Sequence, residues 1–280
     1  MSEVNERTHR FDAEATVLSG QLDLPVSQKI EPQTHSKLAE KGGYSNQRSD
    51  GFRIESIISF RSAYSHVAGI HSLKPGGGWH TLTTTVVEGL NVMEVLTADR
   101  VVGQTITEHP LVGYVPSISF LGTRFENLRI AGHPVEMEID PEFFGPKPAD
   151  DAPYTQDAGF ISRVSRQYDR IGSNKDLPAE LVERYNRLSP ILGKSEAVEC
   201  SLVNQASGRY PGKSCGHIIG VPGFGTITLA KLTVKHENPH EKTKVPRKTT
   251  FTLTMIDLQL GCATSGSVPV GGGSSNGDTG

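Results

Sequence analysis

The amino-acid sequence predicts a mainly β fold, specifically a β sandwich of bulged antiparallel strands with an inserted helical hairpin. An apolar-x-apolar-x-x-Leu-x-apolar spacing recurs four times, and its period of two is typical of strands with one buried face. The single three-residue gap in each copy breaks the alternation once, as a β-bulge does by inserting one residue. Composition agrees, because 30 glycines and 17 prolines among 280 residues favour many turns. The four copies are Thr85, Val87, Leu90, Val92; Thr123, Phe125, Leu128, Ile130; Ile227, Leu229, Leu232, Val234; and Leu253, Met255, Leu258, Leu260.

The first 50 residues predict a strand on a tether. Apolar residues alternate from Phe11 to Leu24, so we expect one strand or a tight pair of strands there. Residues 25–50 are polar and carry Pro32, Gly42 and Gly43, which predicts a linker or a long loop. We therefore separate residues 1–50 as an N-terminal strand arm with a polar linker, and its apolar face is our candidate self-association surface. The residues of that face are Phe11, Ala13, Ala15, Val17, Leu22 and Leu24.

Residues 51–262 predict the β-sandwich domain itself. The run from Thr81 to Val87 is rich in β-branched residues, which favour a pleated, half-buried surface. Prolines between Asp140 and Pro153 predict a loop in the middle of the domain. The predicted strand regions are Phe52–Phe60, Ala63–Ile70, Trp79–Thr107, Ser117–Ile139, Ala197–Gln205, Gly216–Val221, Gly225–His236 and Thr249–Gly261.

The period of the apolar residues changes between Gly159 and Leu192, which predicts a helical hairpin inserted into the sandwich at about residues 159–192. One apolar face combines residues at helical spacing from both halves of this segment. Residues 263–280 contain mostly Gly, Ser, Thr and Asp, so we expect a flexible Gly/Ser-rich tail. The predicted helical face comprises Phe160, Ile161, Val164, Tyr168, Leu181, Val182, Tyr185 and Leu188.

Charge, hydropathy and cysteine content exclude several classes of function. The net charge of −3 includes no basic stripe, so we expect no nucleic-acid partner. No apolar run approaches the ~18 residues that a membrane-spanning helix needs. Three cysteines argue against a disulfide framework, although both a Cys200–Cys215 bridge and buried free thiols, including Cys262, stay open.

One motif matches the signature of zinc proteases, His236-Glu237-Asn238-Pro239-His240. The H-E-x-x-H chemistry needs both histidines on one face of a helix, with the glutamate as general base. Here Pro239 lies inside the motif and the preceding residues predict a strand, so we expect a polar loop at a strand end. We therefore expect no cofactor and no catalytic residues, with His236 and His240 as weak metal-ligand candidates.

Two other pairs carry reactive groups. Cys215 and His217 are two residues apart, which in a strand would place them on one face, either as a nucleophilic pair or as core residues. Glu88 and Glu126 follow Val87 and Phe125 in two of the repeated elements. Paired carboxylates can do acid–base chemistry, but equivalent positions in a repeat are explained more simply as solvent-facing bulge residues.

Three segments resemble bacterial surface β-domains of the choice-of-anchor kind. They are residues 126–132, residues 221–229 and the strand from Leu253 to Gly261. The resemblance implies an extracellular structural or adhesive role without a catalytic site. Met1 to Arg10 is polar and charged, which predicts no secretory signal, so the chain is expected in the cytoplasm by default, and at the cell surface if the resemblance holds.

Our first hypothesis is therefore a structural, self-assembling protein, a homo-oligomer that forms a filament or surface layer joined through its N-terminal arm. Strand addition at a sheet edge would provide the contact. One alternative is a module that binds carbohydrate or another surface ligand, with Trp79 and Tyr64 as a stacking platform. The other alternative is a metal-dependent hydrolase that uses His236 and His240.

Overall fold

The computed structural model describes residues 9–23, 27–74, 77–239, 246–261 and 266–279. Antiparallel strands make up most of this part of the chain, so the predicted mainly β fold is confirmed. The strands are β1 (His9–Leu22), β2 (Gln28–Lys37), β3 (Gly43–Ser49), β4 (Phe52–Ile54), β5 (Ile58–Phe60), β6 (Ser62–His71), β7 (Trp79–Val92), β8 (Leu96–His109), β9 (Ser117–Ser119), β10 (Arg124–Glu126), β11 (Arg129–Ile130), β12 (His133–Pro134), β13 (Glu136–Ile139), β14 (Ala197–Ser201), β15 (Val203–Ser207), β16 (Lys213–Cys215), β17 (Ile218–Val221), β18 (Gly225–Pro239), β19 (Pro246–Leu260) and β20 (Gly266–Thr279). The helices are α1 (Ala158–Gly172) and α2 (Ala179–Leu188), with short 3-10 turns at Ala149–Asp151, Tyr154–Gln156 and Ser189–Ile191.

Two sheets form the sandwich. Sheet A has the order β16-β17-β18-β19-β20-β1-β2, with β14 also paired to β18. Sheet B has β7 at its centre, with β6 and β3 on one side and β8 on the other. The far side of β8 pairs with β9, β10 and β11 in turn. Strands β1 and β20 of sheet A pack over β6, β7 and β8 of sheet B, as expected for a face-to-face sandwich.

The two sheets approach closely where β8 meets β20. A Cβ atom on Gly103 would lie 2.9 Å from Cγ of Met255 and 3.1 Å from the carbonyl oxygen of Gly271. Hydroxyl groups fill much of this interface, and Oγ1 of Thr107 lies 2.7 Å from Oγ of Ser275. Small side chains on both sheets therefore set the distance between the layers.

The interrupted alternation predicted at all four sites is confirmed, but the strand pairing keeps one register across each site, so no residue is inserted there as in a β-bulge. In β7, Glu88 pairs with Arg100 and Leu90 with Ala98, so Gly89, with φ at 64°, lies opposite Asp99 and neither strand has an extra residue. Asn127, with φ at 52°, separates β10 from β11. Burial also stops alternating at residues 229–232 of β18 and 255–258 of β19.

The predicted helical hairpin is also confirmed. The Asp157 carboxylate accepts a hydrogen bond from the backbone N–H of Phe160 at 2.7 Å and caps α1. α1 packs on the β14 end of sheet A, where the Tyr168 hydroxyl donates to the carbonyl of Glu199 at 2.7 Å. The inward residues form a single apolar face across both helices. Phe160, Val164, Tyr168 and Tyr185 are buried, and Ile161, Leu181, Val182 and Leu188 are partly buried.

The expectation of a detached arm and a polar linker in residues 1–50 is corrected. β1 lies inside sheet A between β20 and β2, and the segment expected to be a linker contains β2 and β3. The face predicted for self-association packs into this chain's own sandwich, because β1 sits opposite sheet B. Its buried members are Phe11, Ala13, Ala15, Val17 and Leu22, while Leu24 lies outside the described residues.

The expectation of a flexible tail at residues 263–280 is corrected as well. Residues 266–279 form β20, which pairs with β19 on one side and β1 on the other. A Cβ atom on Gly273 would lie 2.8 Å from Oγ1 of Thr83 on sheet B. The glycines that suggested flexibility therefore permit close packing between the two sheets.

Candidate functional site

A concave groove crosses the outer face of sheet B and is our candidate functional site. We call it the sheet-B groove. It has a cavity volume of about 460 Å³. The residues that line it are Arg48, Ser62, Ala63, Tyr64, Thr84, Val86, Glu88, Arg100, Val102 and Arg124.

Strand alternation explains why these side chains share one surface. Along β7, the odd-numbered residues from Trp79 to Val87 are buried in the sandwich, whereas the even-numbered residues are half-buried. The even-numbered face is thus the outer face, and Thr84, Val86 and Glu88 lie on it. Antiparallel pairing places the side chains of β6 and β8 beside them.

The centre of the groove is one cross-strand row through five strands. Arg48 on β3 pairs with Tyr64, Tyr64 pairs with Val86, Val86 with Val102, and Val102 with Arg124 on β10. Four strand spacings separate the two arginines, about 19 Å between their backbones at ~4.8 Å per strand. The row is therefore apolar and aromatic in the middle and cationic at both ends.

A second row beside it carries paired charges. Arg100 on β8 pairs in register with Glu88 on β7 and with Glu126 on β10. Glu88 accepts a hydrogen bond from the Ser62 hydroxyl at 2.8 Å, and its carboxylate lies 3.8 Å from Nε of Arg100. That Nε atom is buried and has no hydrogen-bond partner among the described residues. The row thus holds a guanidinium group whose hydrogen-bonding capacity is not saturated.

Tyr64 supplies the exposed aromatic surface of the groove. Its side chain is 38 % exposed, and its ring is stacked on that of His66 with centroids 6.2 Å apart. Trp79, the other half of the predicted stacking platform, is only 8 % exposed and stacks on His9 inside the sandwich. Trp79 faces inward because it lies on the odd-numbered face of β7. The platform prediction therefore applies to Tyr64 alone.

His236 lies in β18, within the predicted strand, but β18 continues to Pro239, which corrects the expectation that residues 237–239 form a strand-end loop. His236 is buried, its Nδ1 lies 2.9 Å from the Thr249 hydroxyl, and burial lowers its pKa to about 4. Its Nε2 has no hydrogen-bond partner among the described residues, and His236 is one of the residues that line a second cavity of about 310 Å³. His240 lies outside the described residues. Within the part of the chain that the structure describes, no group of three or more His, Cys, Asp or Glu side chains could hold a metal ion.

Cys215 and His217 do not share the face of one strand, contrary to the expectation. Cys215 ends β16, and His217 follows Gly216 in the turn to β17, where the chain reverses. Burial lowers the pKa of His217 to about 3, and its Nε2 lies 3.3 Å from the Tyr185 hydroxyl. Cys200 and Cys215 are buried free thiols, and burial raises the pKa of both. Cys262 lies outside the described residues.

Sequence reasoning singled out Tyr64 and Glu88 but missed the three arginines of the groove. Arg48 lies in a segment expected to be a linker, so no strand register was available to place it. Arg100 and Arg124 do lie in predicted strand regions. Their position on the outer face follows only from which strands pair with β7.

Neither of the two helices among the described residues is long and apolar enough to cross a membrane.

Comparison with curated proteins and with solved structures finds no match to this chain. The resemblance to choice-of-anchor domains therefore stays a prediction. A family model described as "Domain of unknown function (DUF8256)" matches residues 9–235. This range includes every residue that lines the sheet-B groove and spans most of the chain, which therefore belongs to the DUF8256 family.

Proposed function

We propose that this protein is a carbohydrate-binding β module that holds an extended glycan in the sheet-B groove. The observation that carries the proposal is the cross-strand row of Arg48, Tyr64, Val86, Val102 and Arg124 on one concave surface. Ligand sites are typically concave, with apolar and aromatic walls and a few well-placed polar groups. The groove has both features.

The tyrosine determines the class of ligand. A partly exposed aromatic ring held by the neighbouring His66 offers a flat apolar surface with little conformational freedom to lose on binding. One face of a pyranose ring carries mostly C–H groups and fits such a surface. Around Tyr64 the Thr84 hydroxyl and the Glu88 carboxylate supply a donor and acceptors for sugar hydroxyls.

The proposal is tested with the purified chain on a glycan array, followed by isothermal titration calorimetry. Tyr64→Ala should weaken glycan binding at least tenfold, because an aromatic contact is removed from the centre of the row. Tyr44→Ala is the matched control, since Tyr44 is 76 % exposed on β3 but does not line the groove. An array without any bound glycan, or equal affinities for both variants and the parent protein, would contradict the proposal.

A structural, self-associating role is the second candidate, and the free edge of β3 favours it. β3 pairs with β6 on one side and is the last strand of sheet B in that direction among the described residues. An unpaired strand edge is a template for a further strand, and charged or proline residues normally protect such edges. Gly43–Ser49 contains no proline, has Arg48 as its single charged residue and exposes Tyr44.

Light scattering across a range of protein concentrations tests this second candidate. Tyr44→Lys should reduce the oligomer mass, because it adds a charge and removes an apolar side chain from the edge. Leu73→Lys is the control, since Leu73 is fully exposed in the loop after β6. A monomeric parent protein at every concentration would exclude association through this edge.

A further inference from the structure

We propose that the sheet-B groove selects carboxylated polysaccharides, such as polyuronates, over neutral glycans. This inference rests on the proposed function and adds the chemical class of the ligand. It depends on the positions, exposure and hydrogen bonds of Arg48, Arg100 and Arg124, which line the groove together with Glu88, the one carboxylate among the described lining residues.

The two arginines at the ends of the central row retain free donors. Nε of Arg48 donates to Asp50 at 2.9 Å, and its Nη atoms make no hydrogen bond among the described residues. Nε of Arg124 donates to Glu126 and Nη1 to the carbonyl of Gly122, which leaves Nη2. A guanidinium group binds carboxylate through parallel N–H donors, and such charge-assisted hydrogen bonds are about twice as strong as neutral ones.

The arginines are already oriented before a ligand arrives. Asp50 and Glu126 each hold the Nε edge of one guanidinium group, so the remaining N–H groups keep a defined direction. Preorganised donors lose less entropy on binding than free side chains do. The local carboxylates thus act as positioning groups and do not occupy the donors that a ligand would use.

The spacing of the charges fits a polyuronate. The arginines are separated by the apolar and aromatic stretch of Tyr64, Val86 and Val102, so carboxylates would bind at the two ends while sugar rings lie on the middle. A neutral glycan would leave the free Nη donors of both end arginines without an anionic acceptor.

The same features disfavour a nucleic acid. Single-stranded nucleic acids bind to continuous basic grooves with several stacking rings, because each nucleotide carries one phosphate and one base. Here Tyr64 is the only aromatic side chain among the described residues that line the groove, and Glu88 lies between the arginines.

The test compares polymers that differ only in their carboxylates. Polygalacturonate, hyaluronate and alginate are titrated against the purified full chain by calorimetry, together with the carboxyl-reduced form of each polymer. We expect at least one carboxylated polymer to bind tenfold or more tightly than its reduced form, with an affinity that falls as salt is added. Equal affinity for both forms of every bound polymer would overturn the inference.

Arginine variants locate the selectivity in the groove. Arg48→Gln and Arg124→Gln should each reduce the affinity for the carboxylated polymer towards that for the reduced polymer. The fold should be retained, because the side chains are 74 % and 46 % exposed, respectively. Arg53→Gln is the matched control, since Arg53 is exposed on β4 and does not line the groove. Unchanged selectivity in both groove variants would overturn the inference.

The failures of the two proposals are distinguishable. If carboxylated and reduced polymers bind equally and Tyr64→Ala weakens both, the carbohydrate proposal holds and the selectivity is wrong. If no polymer binds, both proposals are wrong. Displacement of the bound polymer by a single-stranded oligonucleotide of higher affinity would assign the groove to nucleic acid and overturn the inference.

Discussion

Gly103 shows how a single residue sets the distance between the two layers. Its missing side chain lets β8 approach Met255 on β19 and the backbone of β20. A methyl group there would overlap atoms of the opposite sheet. Overpacking of a close-packed core costs about 1–3 kcal/mol, because neighbouring side chains and backbone must shift.

Gly103→Ala should therefore lower the free energy of unfolding by about 1–3 kcal/mol in urea denaturation. Gly261→Ala is the control, because a Cβ atom there would meet its nearest atom at 3.9 Å and the backbone conformation suits other residues. We expect the control to change stability by less than about 0.5 kcal/mol. Equal free energies of unfolding for Gly103→Ala and Gly261→Ala would show that the two sheets can move apart around an added methyl group without a loss of stability.

The helical hairpin is the element whose apolar face is most sensitive to a single charge. Tyr185 of α2 is buried, packs edge-on against Tyr168 at a centroid distance of 5.1 Å, and lies within hydrogen-bonding distance of His217. Burial raises the pKa of its hydroxyl, as expected for a group removed from water. The face thus combines apolar packing with one buried polar contact.

Tyr185→Asp should cost about 3–5 kcal/mol of stability, because a carboxylate without a cationic partner is placed among apolar groups. Tyr185→Phe keeps the ring and removes only the hydroxyl contact to His217, so we expect a loss of about 1 kcal/mol. Thermal and urea denaturation of both variants measure the difference. Matching melting temperatures for Tyr185→Asp and the parent protein would mean that this face is exposed.

The N-terminal strand β1 is an internal element of sheet A. It pairs with β20 over most of its length and with β2 on the other side.

Deletion of residues 1–25 should therefore prevent cooperative folding, because it removes a central strand and the apolar side chains that face sheet B. Circular dichroism and light scattering of the truncated chain check this expectation. A folded truncated protein of smaller oligomer mass would instead indicate that β1 is exchanged between chains.

At the scale of the whole molecule, buried histidines make stability depend on pH. Burial lowers the pKa of His9 and His236 to about 4, and that of His109 and His217 to about 3. In the unfolded chain the same groups titrate near 6.5, so below that pH the unfolded state binds more protons. Their contribution is fully present above pH 6.5 and is lost as the pH falls towards 4 and 3.

We expect the free energy of unfolding in urea to be lower at pH 5 than at pH 7, with a slope of up to about 1.4 kcal/mol per pH unit for each histidine. His236→Asn keeps a polar group beside Thr249 but cannot titrate. This variant should therefore show a shallower slope than the parent protein. Identical slopes for the two proteins would mean that His236 is protonated in the folded state.

The sequence alone was sufficient for elements whose residues carry a local periodic pattern. The strands follow from a period of two with one interruption, and the helical hairpin follows from a period near 3.6 between Gly159 and Leu192. Both signals depend on neighbouring residues in one strand or one helix, so they need no knowledge of the partners. The same reasoning placed Tyr64 and Glu88 in strands.

Local composition was misleading where tertiary contacts decide the conformation. β2 and β3 are polar because they lie at sheet edges, and β20 is rich in glycine because it packs closely against sheet B; both compositions also suit flexible segments. Arg48, Arg100 and Arg124 come from strands that are distant in sequence, so only the strand order brings them to one groove.

The sequence by itself determined which segments are strands or helices with a buried face. The tertiary structure alone decided which polar segments join the sheets and which outer side chains form a site, because pairing and sheet packing depend on long-range contacts that no local pattern records.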